Sequence, residues 1–165
     1  MNPPTTAALL VVQSRFSTHA TMRDRIKRWI IPPYIRQLVS GGTVVVLIGR
    51  AGVGKTVLLN KAKLPRVHHG VTALPDGLFG LDEPAGHAQA AAIKTRLRSG
   101  GAGFALALQD VTDLQVLDLL PELAQRPVVE FFVIEDGSGR VAYDTYRWIA
   151  AHWRASPPVS GRLVA

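Results

Sequence analysis

Cysteine is absent from this chain of 165 residues, which excludes a disulfide framework and any thiolate metal site and fits a reducing compartment. Charge is sparse as well. Charged residues make up 19% against 47% hydrophobic, the balance of a chain that buries a core rather than a disordered one. Long apolar runs are missing: the longest early one, residues 7–12, has six residues and no small-residue cleavage pattern after it, too short to span a bilayer. A soluble, cytoplasmic protein is therefore expected. No internal repeat occurs. His68 and His69 have no third ligand at helical or hairpin spacing, so they predict strand-end residues and not a metal site. At this length, one domain with a sizeable core is expected.

The net charge of +7 is concentrated at one end. Residues 1–42 hold Arg15, Arg23, Arg25, Lys27, Arg28 and Arg36 against Asp24 alone, which is +5 of that total. Residues 1–20, with Pro3-Pro4 and a Ser/Thr-rich patch, read as weakly structured. From Thr21 onward Met22, Ile26, Trp29 and Ile30 recur on one face of a helix. Pro32-Pro33 should stop that helix, and Pro33 should open a second one ending at Gly41-Gly42. The chain thus divides into a basic N-terminal helical arm (1–42), a core (43–154) and a flexible tail (155–165). A basic amphipathic arm suits a nucleic-acid backbone, here DNA, more than an anionic membrane surface, while its apolar face suits the core or a larger protein machine.

The strongest local signal is the run TVVVLIGRAGVGKT, residues 43–56. A β-branched apolar stretch predicts a buried parallel strand, and Gly49-Arg50-Ala51-Gly52-Val53-Gly54-Lys55-Thr56 fits the GxxxxGK[ST] pattern of a phosphate-binding loop. Glycines let backbone N–H groups turn inward around a phosphate. Lys55 can neutralise the β- and γ-phosphates, and the Thr56 hydroxyl can ligate Mg²⁺. A helix begun at Gly54 would add its positive end.

Further on, residues 77–83 read as a short apolar strand closed by Asp82-Glu83. Ligands in parallel sheets sit beyond the carboxyl ends of strands. There Asp82 can hold the Mg²⁺ shell and Glu83 can orient and deprotonate an attacking water. The competing explanation is an acidic turn before a helix, since carboxylates favour helix starts. Residues 86–99 predict a helix stopped by Gly100-Gly101, and residues 104–108 a strand ending in Gln109, a polar residue able to reach the γ-phosphate or the water. Thr112-x-x-Gln115 is a capping-box pattern opening a helix that Pro121 ends or kinks. Residues 128–134 predict a buried strand. The Asp136-Gly137-Ser138-Gly139 turn predicts a return through Tyr143 as an antiparallel strand, followed by a last helix with Tyr146, Ile149 and Trp153 on one face. The order of elements predicts an α/β fold with a mostly parallel sheet and helices on both faces.

Together these elements resemble the additional-strand catalytic-glutamate division of P-loop NTPases. In that division the Walker A strand neighbours a strand ending in a polar sensor, and the Walker B strand ends in Asp-Glu. The resemblance implies Walker A roles for Lys55 and Thr56, a Mg²⁺-linked acid at Asp82, a catalytic base at Glu83 and a sensor at Gln109. The run LALQDVTDLQ looks most like the FtsK and HerA superfamily of DNA-pumping ATPases, which includes the coupling ATPases of conjugation, with Zot-like phage assembly ATPases nearby. The resemblance covers about residues 43–134 and implies an ATP- and Mg²⁺-dependent ATPase serving plasmid transfer, maintenance or phage assembly. Arg50 stands where partition-type ATPases carry a second lysine. Lys55 and Asp82 lie only 27 positions apart, where those motors usually hold far more chain.

Rival readings leave their own traces. Asn-Lys-x-Asp, the guanine reader of GTPases, does not follow the loop; Asn60-Lys61 falls inside the loop's own helix. A small-molecule kinase would use Arg96 and Arg98 near Gly100-Gly101 as a phosphate-contacting lid. An arginine finger from a neighbour in a homo-oligomer could come from Arg96, Arg98 or Arg126. A nucleotide-dependent interaction module would bind ATP with little turnover.

Overall fold

The computed structural model describes residues 6–13, 22–126, 128–135 and 139–152, the first stretch and residues 22–29 as backbone only. Its centre is a six-stranded sheet in the order β1-β6-β2-β5-β4-β3. The strands are β1 (Thr6–Gln13), β2 (Val44–Ile48), β3 (Arg66–Val67), β4 (Gly80–Asp82), β5 (Ala105–Leu108) and β6 (Val128–Glu135). Every neighbouring pair is parallel.

Parallel strands covered on both faces read as continuous apolar runs, and β2 does so: each of its five residues is fully buried. Alternate residues face opposite layers. Val44, Val46 and Ile48 pack with Ile93 and Leu97 of α3 (His87–Ser99), with Leu114 and Leu123 of the short helices α4 (Asp113–Val116) and α5 (Leu120–Leu123), and with Trp148 and Ile149 of α6 (Arg140–His152). Val45 and Leu47 pack on the other face with Ile31, Ile35 and Val39 of α1 (Met22–Ser40) and Leu58 and Leu59 of α2 (Lys55–Lys61). Burying each such side chain contributes about 1.5–3 kcal/mol. The α/β architecture with helices on both faces is thus present, with the sheet parallel throughout its described pairs.

Several local expectations are overturned. Residues 6–13 are not weakly structured: they form an edge strand whose eight residues register with Thr6↔Val128 through Gln13↔Glu135. The helix beginning at Met22 does not stop at Pro32-Pro33 but runs unbroken to Ser40. Two prolines remove two N–H donors, yet Ile31, Ile35 and Val39 lie on one face and bury against the sheet, which holds the helix together across the gap. Ile30, expected on the apolar face, is 59% exposed, while the side chains of Met22, Ile26 and Trp29 lie outside the described residues. The stretch expected as an N-terminal arm thus contributes a strand and a covering helix to the same sheet. Its first residues and the tail at 155–165 lie outside the described residues.

At the other end, no antiparallel strand passes through Tyr143. Glu135, itself buried, accepts hydrogen bonds from the backbone N–H groups of Gly139 and Ala142. A carboxylate on those donors starts a helix, so the chain enters α6 instead. Its buried face is Ala142, Thr145, Trp148 and Ile149; Tyr146, expected on that face, is exposed, and Trp153 lies outside the described residues. Pro121 opens α5 rather than ending a helix. Thr112 bonds Asp110 instead of making a capping box.

Candidate functional site

The site grows from the ends of three adjacent strands. Leu108 at the end of β5 accepts a hydrogen bond from Gly49 N at 3.1 Å, and Ala107 accepts one from Glu83 N at 2.9 Å. The central strand therefore ties the loop after β2 to the turn after β4 and ends at Gln109 between them. A Cβ at Gly49 would lie 2.7 Å from Val53 Cγ2, so any larger residue there would have to push the Val53 side chain aside. Gly54, with φ of 108°, turns the chain into α2 through the left-handed region that favours glycine.

That turn carries Lys55 inward. Lys55 is only 5% exposed, and its ammonium donates to the carbonyls of Gly49 and, at 3.3 Å, Arg50. Glu83 Oε1 lies 3.8 Å from the same nitrogen. Burial pushes the Lys55 pKa below its ordinary 10.5, and the charges of Glu83, Asp82 and Asp113, in that order, push it back up. Beside it the Thr56 hydroxyl donates to Asp82 Oδ2 at 2.8 Å, and Gln109 Nε2 donates to Glu83 Oε1 at 3.1 Å.

An open cavity of about 410 Å³ lies over these groups, lined by Ala51, Gly52, Gly54, Lys55, Thr56, Val57, Asp82 and Glu83. Seven of the residues singled out from sequence thus share one cavity, and Gln109 reaches its wall through Glu83. Gly49 and Val53 support the loop from below, and Arg50 is exposed. Among the described residues no group of three or more His, Cys, Asp or Glu side chains could hold a metal. Thr56 and Asp82 offer hard oxygen atoms, which suit Mg²⁺ because that ion keeps waters and phosphate oxygens in its shell. The residues therefore fit a Mg²⁺–phosphate ligand and not a metal held by protein alone.

Glu83 follows β4 with φ of +47°, in the left-handed region. A non-glycine residue there is held at a cost. Glu83→Gly is expected to be about 1 kcal/mol more stable than Glu83→Ala, because glycine alone relieves that backbone. Urea unfolding of the two variants checks this; equal midpoints and slopes would remove the strain.

The arginines proposed as a lid or finger sit elsewhere. The Arg96 guanidinium donates to the carbonyls of Pro75, Asp76 and Gly77, and Arg98 pairs with Glu122 at 2.8 Å. Arg126 is 6% exposed and donates to Gly101 O. All three lie at the amino end of the sheet, opposite the cavity, so the lid reading loses its support within this chain.

Sequence reasoning missed two residues near the site. Arg66 Nη2 lies 2.6 Å from Asp82 Oδ2, a pairing between two strands that no local pattern signals. Gln89, 1% exposed, accepts from Gly70 N and Ala85 N and donates to His68 O and Val71 O. It clamps the loop after β3 to the turn after Glu83. A glutamine inside an alanine-rich helix is its only sequence trace.

No protein-family model, curated protein or solved structure matches this chain.

Proposed function

We propose that the chain binds ATP with Mg²⁺ in the cavity beside Lys55 and hydrolyses it, as a P-loop NTPase of the catalytic-glutamate type. The observation that carries this reading is the convergence of Lys55, the Thr56–Asp82 hydrogen bond and the Gln109–Glu83 hydrogen bond on one cavity. The strand order supports it further, since β5, directly followed by Gln109, lies between β2 and β4.

Each residue has a distinct role. Lys55 leaves the loop carbonyls to contact the β- and γ-phosphates; its burial makes that charge effective, because little water screens it. Thr56 and Asp82 hold Mg²⁺, which when bound offsets charge on the phosphate oxygens. Glu83 takes the proton of the attacking water, and Gln109 orients the Glu83 carboxylate. A few residues along the chain, Gln115 of α4 accepts from Trp148 Nε1 of α6 at 3.2 Å, so the segment that follows Gln109 is tied to α6.

One observation favours a second reading, a nucleotide-dependent module with little turnover. Glu83 Oε1 already carries Gln109 Nε2 and faces Lys55, so the base is engaged before any water arrives. Service to a DNA- or mobile-element-related process rests on the basic residues of the first 42 positions and on the family resemblance. Phosphate release from ATP is the test, measured with no nucleic acid and with single- or double-stranded DNA. Turnover that rises with DNA is the expected result. ATP bound tightly without turnover in any condition would favour the module, and turnover indifferent to DNA would remove the DNA role.

A further inference from the structure

Asp82 Oδ2 is shared. It accepts the Thr56 hydroxyl at 2.8 Å and the Arg66 guanidinium at 2.6 Å. Arg66 comes from β3, registered with Gly80 of β4, so its side chain runs along the strand to the carboxylate beyond. The guanidinium side chain is 37% exposed and that of Asp82 14%, which leaves Arg66 free to swing into solvent while Asp82 stays at the cavity wall. Thr56 and Asp82 are the pair through which the proposed Mg²⁺ would be held. A divalent ion between them would face a full positive charge on the same oxygen.

We propose that Arg66 is a displaceable cation on Asp82, which holds the carboxylate in place in the ligand-free protein and lowers the site's affinity for a divalent ion by competing for that oxygen. The inference rests on the proposed nucleotide site and adds a residue that sets its metal dependence. Two cations of like charge at one oxygen repel, and a charge-assisted hydrogen bond must break before the ion takes over. Removing the guanidinium should therefore tighten the ion. The pair is partly exposed, which moderates its strength, so the expected gain is roughly tenfold. Once displaced, Arg66 presents a planar fork of donors beside the cavity, so metal loading also changes the charge on its rim.

The probe is Mn²⁺ with the non-hydrolysable analogue AMP-PNP, read by electron paramagnetic resonance, together with metal-free AMP-PNP binding. Wild type, Arg66→Gln and Arg66→Lys are compared, with thermal unfolding confirming that each folds. Arg66→Gln should bind Mn²⁺ roughly tenfold more tightly. Arg66→Lys should stay near wild type, and metal-free AMP-PNP binding should be alike in all three. Unchanged or weaker Mn²⁺ binding in Arg66→Gln, with AMP-PNP still bound, would overturn the displaceable cation and leave the nucleotide site standing. Weaker metal-free AMP-PNP binding in Arg66→Gln would overturn it in favour of a direct phosphate contact. Failure of wild type to bind AMP-PNP at all would overturn both.

Discussion

Glu83→Gln is expected to keep ATP bound while turnover falls by roughly 10²-fold or more, the usual contribution of a general base. The substitution is close to isosteric. Its amide oxygen can still accept from Gln109, whose Nε2 lies 3.1 Å from Glu83 Oε1, so the turn after β4 keeps its partner. What is lost is the ability to take a proton from water. The matching change at the neighbour, Asp82→Asn, should act on Mg²⁺-dependent binding instead, because Asp82 Oδ2 is bonded to Thr56. Single-turnover measurement of bound ATP separates the two effects. Mild and equal losses at both positions would mean that Asp82-Glu83 is an acidic turn before α3.

Lys55→Met should abolish ATP binding and also change how stability depends on pH. Burial holds the Lys55 pKa below the 10.5 it regains on unfolding. The unfolded chain therefore binds the proton more tightly, and stability rises with pH between the depressed pKa and 10.5. Below that window the charged lysine opposes folding in full. Methionine keeps the apolar stem without the charge, so this rise should be absent from the variant and should make up the pH dependence of the difference between the two proteins. Because a buried cation opposes folding, the ligand-free variant should be at least as stable as wild type across neutral pH. A variant that still binds ATP·Mg²⁺ with wild-type affinity would remove the phosphate-loop reading. Urea unfolding across pH would reveal whether the stability rise belongs to Lys55.

The site was legible where its chemistry is local. The strand at residues 44–48 and the glycine loop are contiguous, and Asp82, Glu83 and Gln109 each close a short apolar run. In a parallel sheet those ends meet at one edge. Long-range pairing was not legible. Thr6 registers with Val128 across nearly the whole chain, and six apolar residues between prolines and a Ser/Thr patch give no hint of that partner. Arg66 escaped for the same reason, since its value lies in reaching Asp82 on a neighbouring strand. Local punctuation misled in two places. Pro32-Pro33 read as a stop, but burial of Ile31, Ile35 and Val39 carries the helix through. Asp136-Gly137 read as a hairpin turn, but the buried Glu135 immediately before it caps α6 and turns the chain into a helix.

Calorimetric titration of the wild-type chain with ATP, with and without Mg²⁺, tests the central claim most directly. One saturable site whose affinity strengthens with Mg²⁺ and disappears in Lys55→Met is the predicted result. No heat of binding at millimolar ATP with Mg²⁺ present, from a protein that unfolds cooperatively, would contradict it.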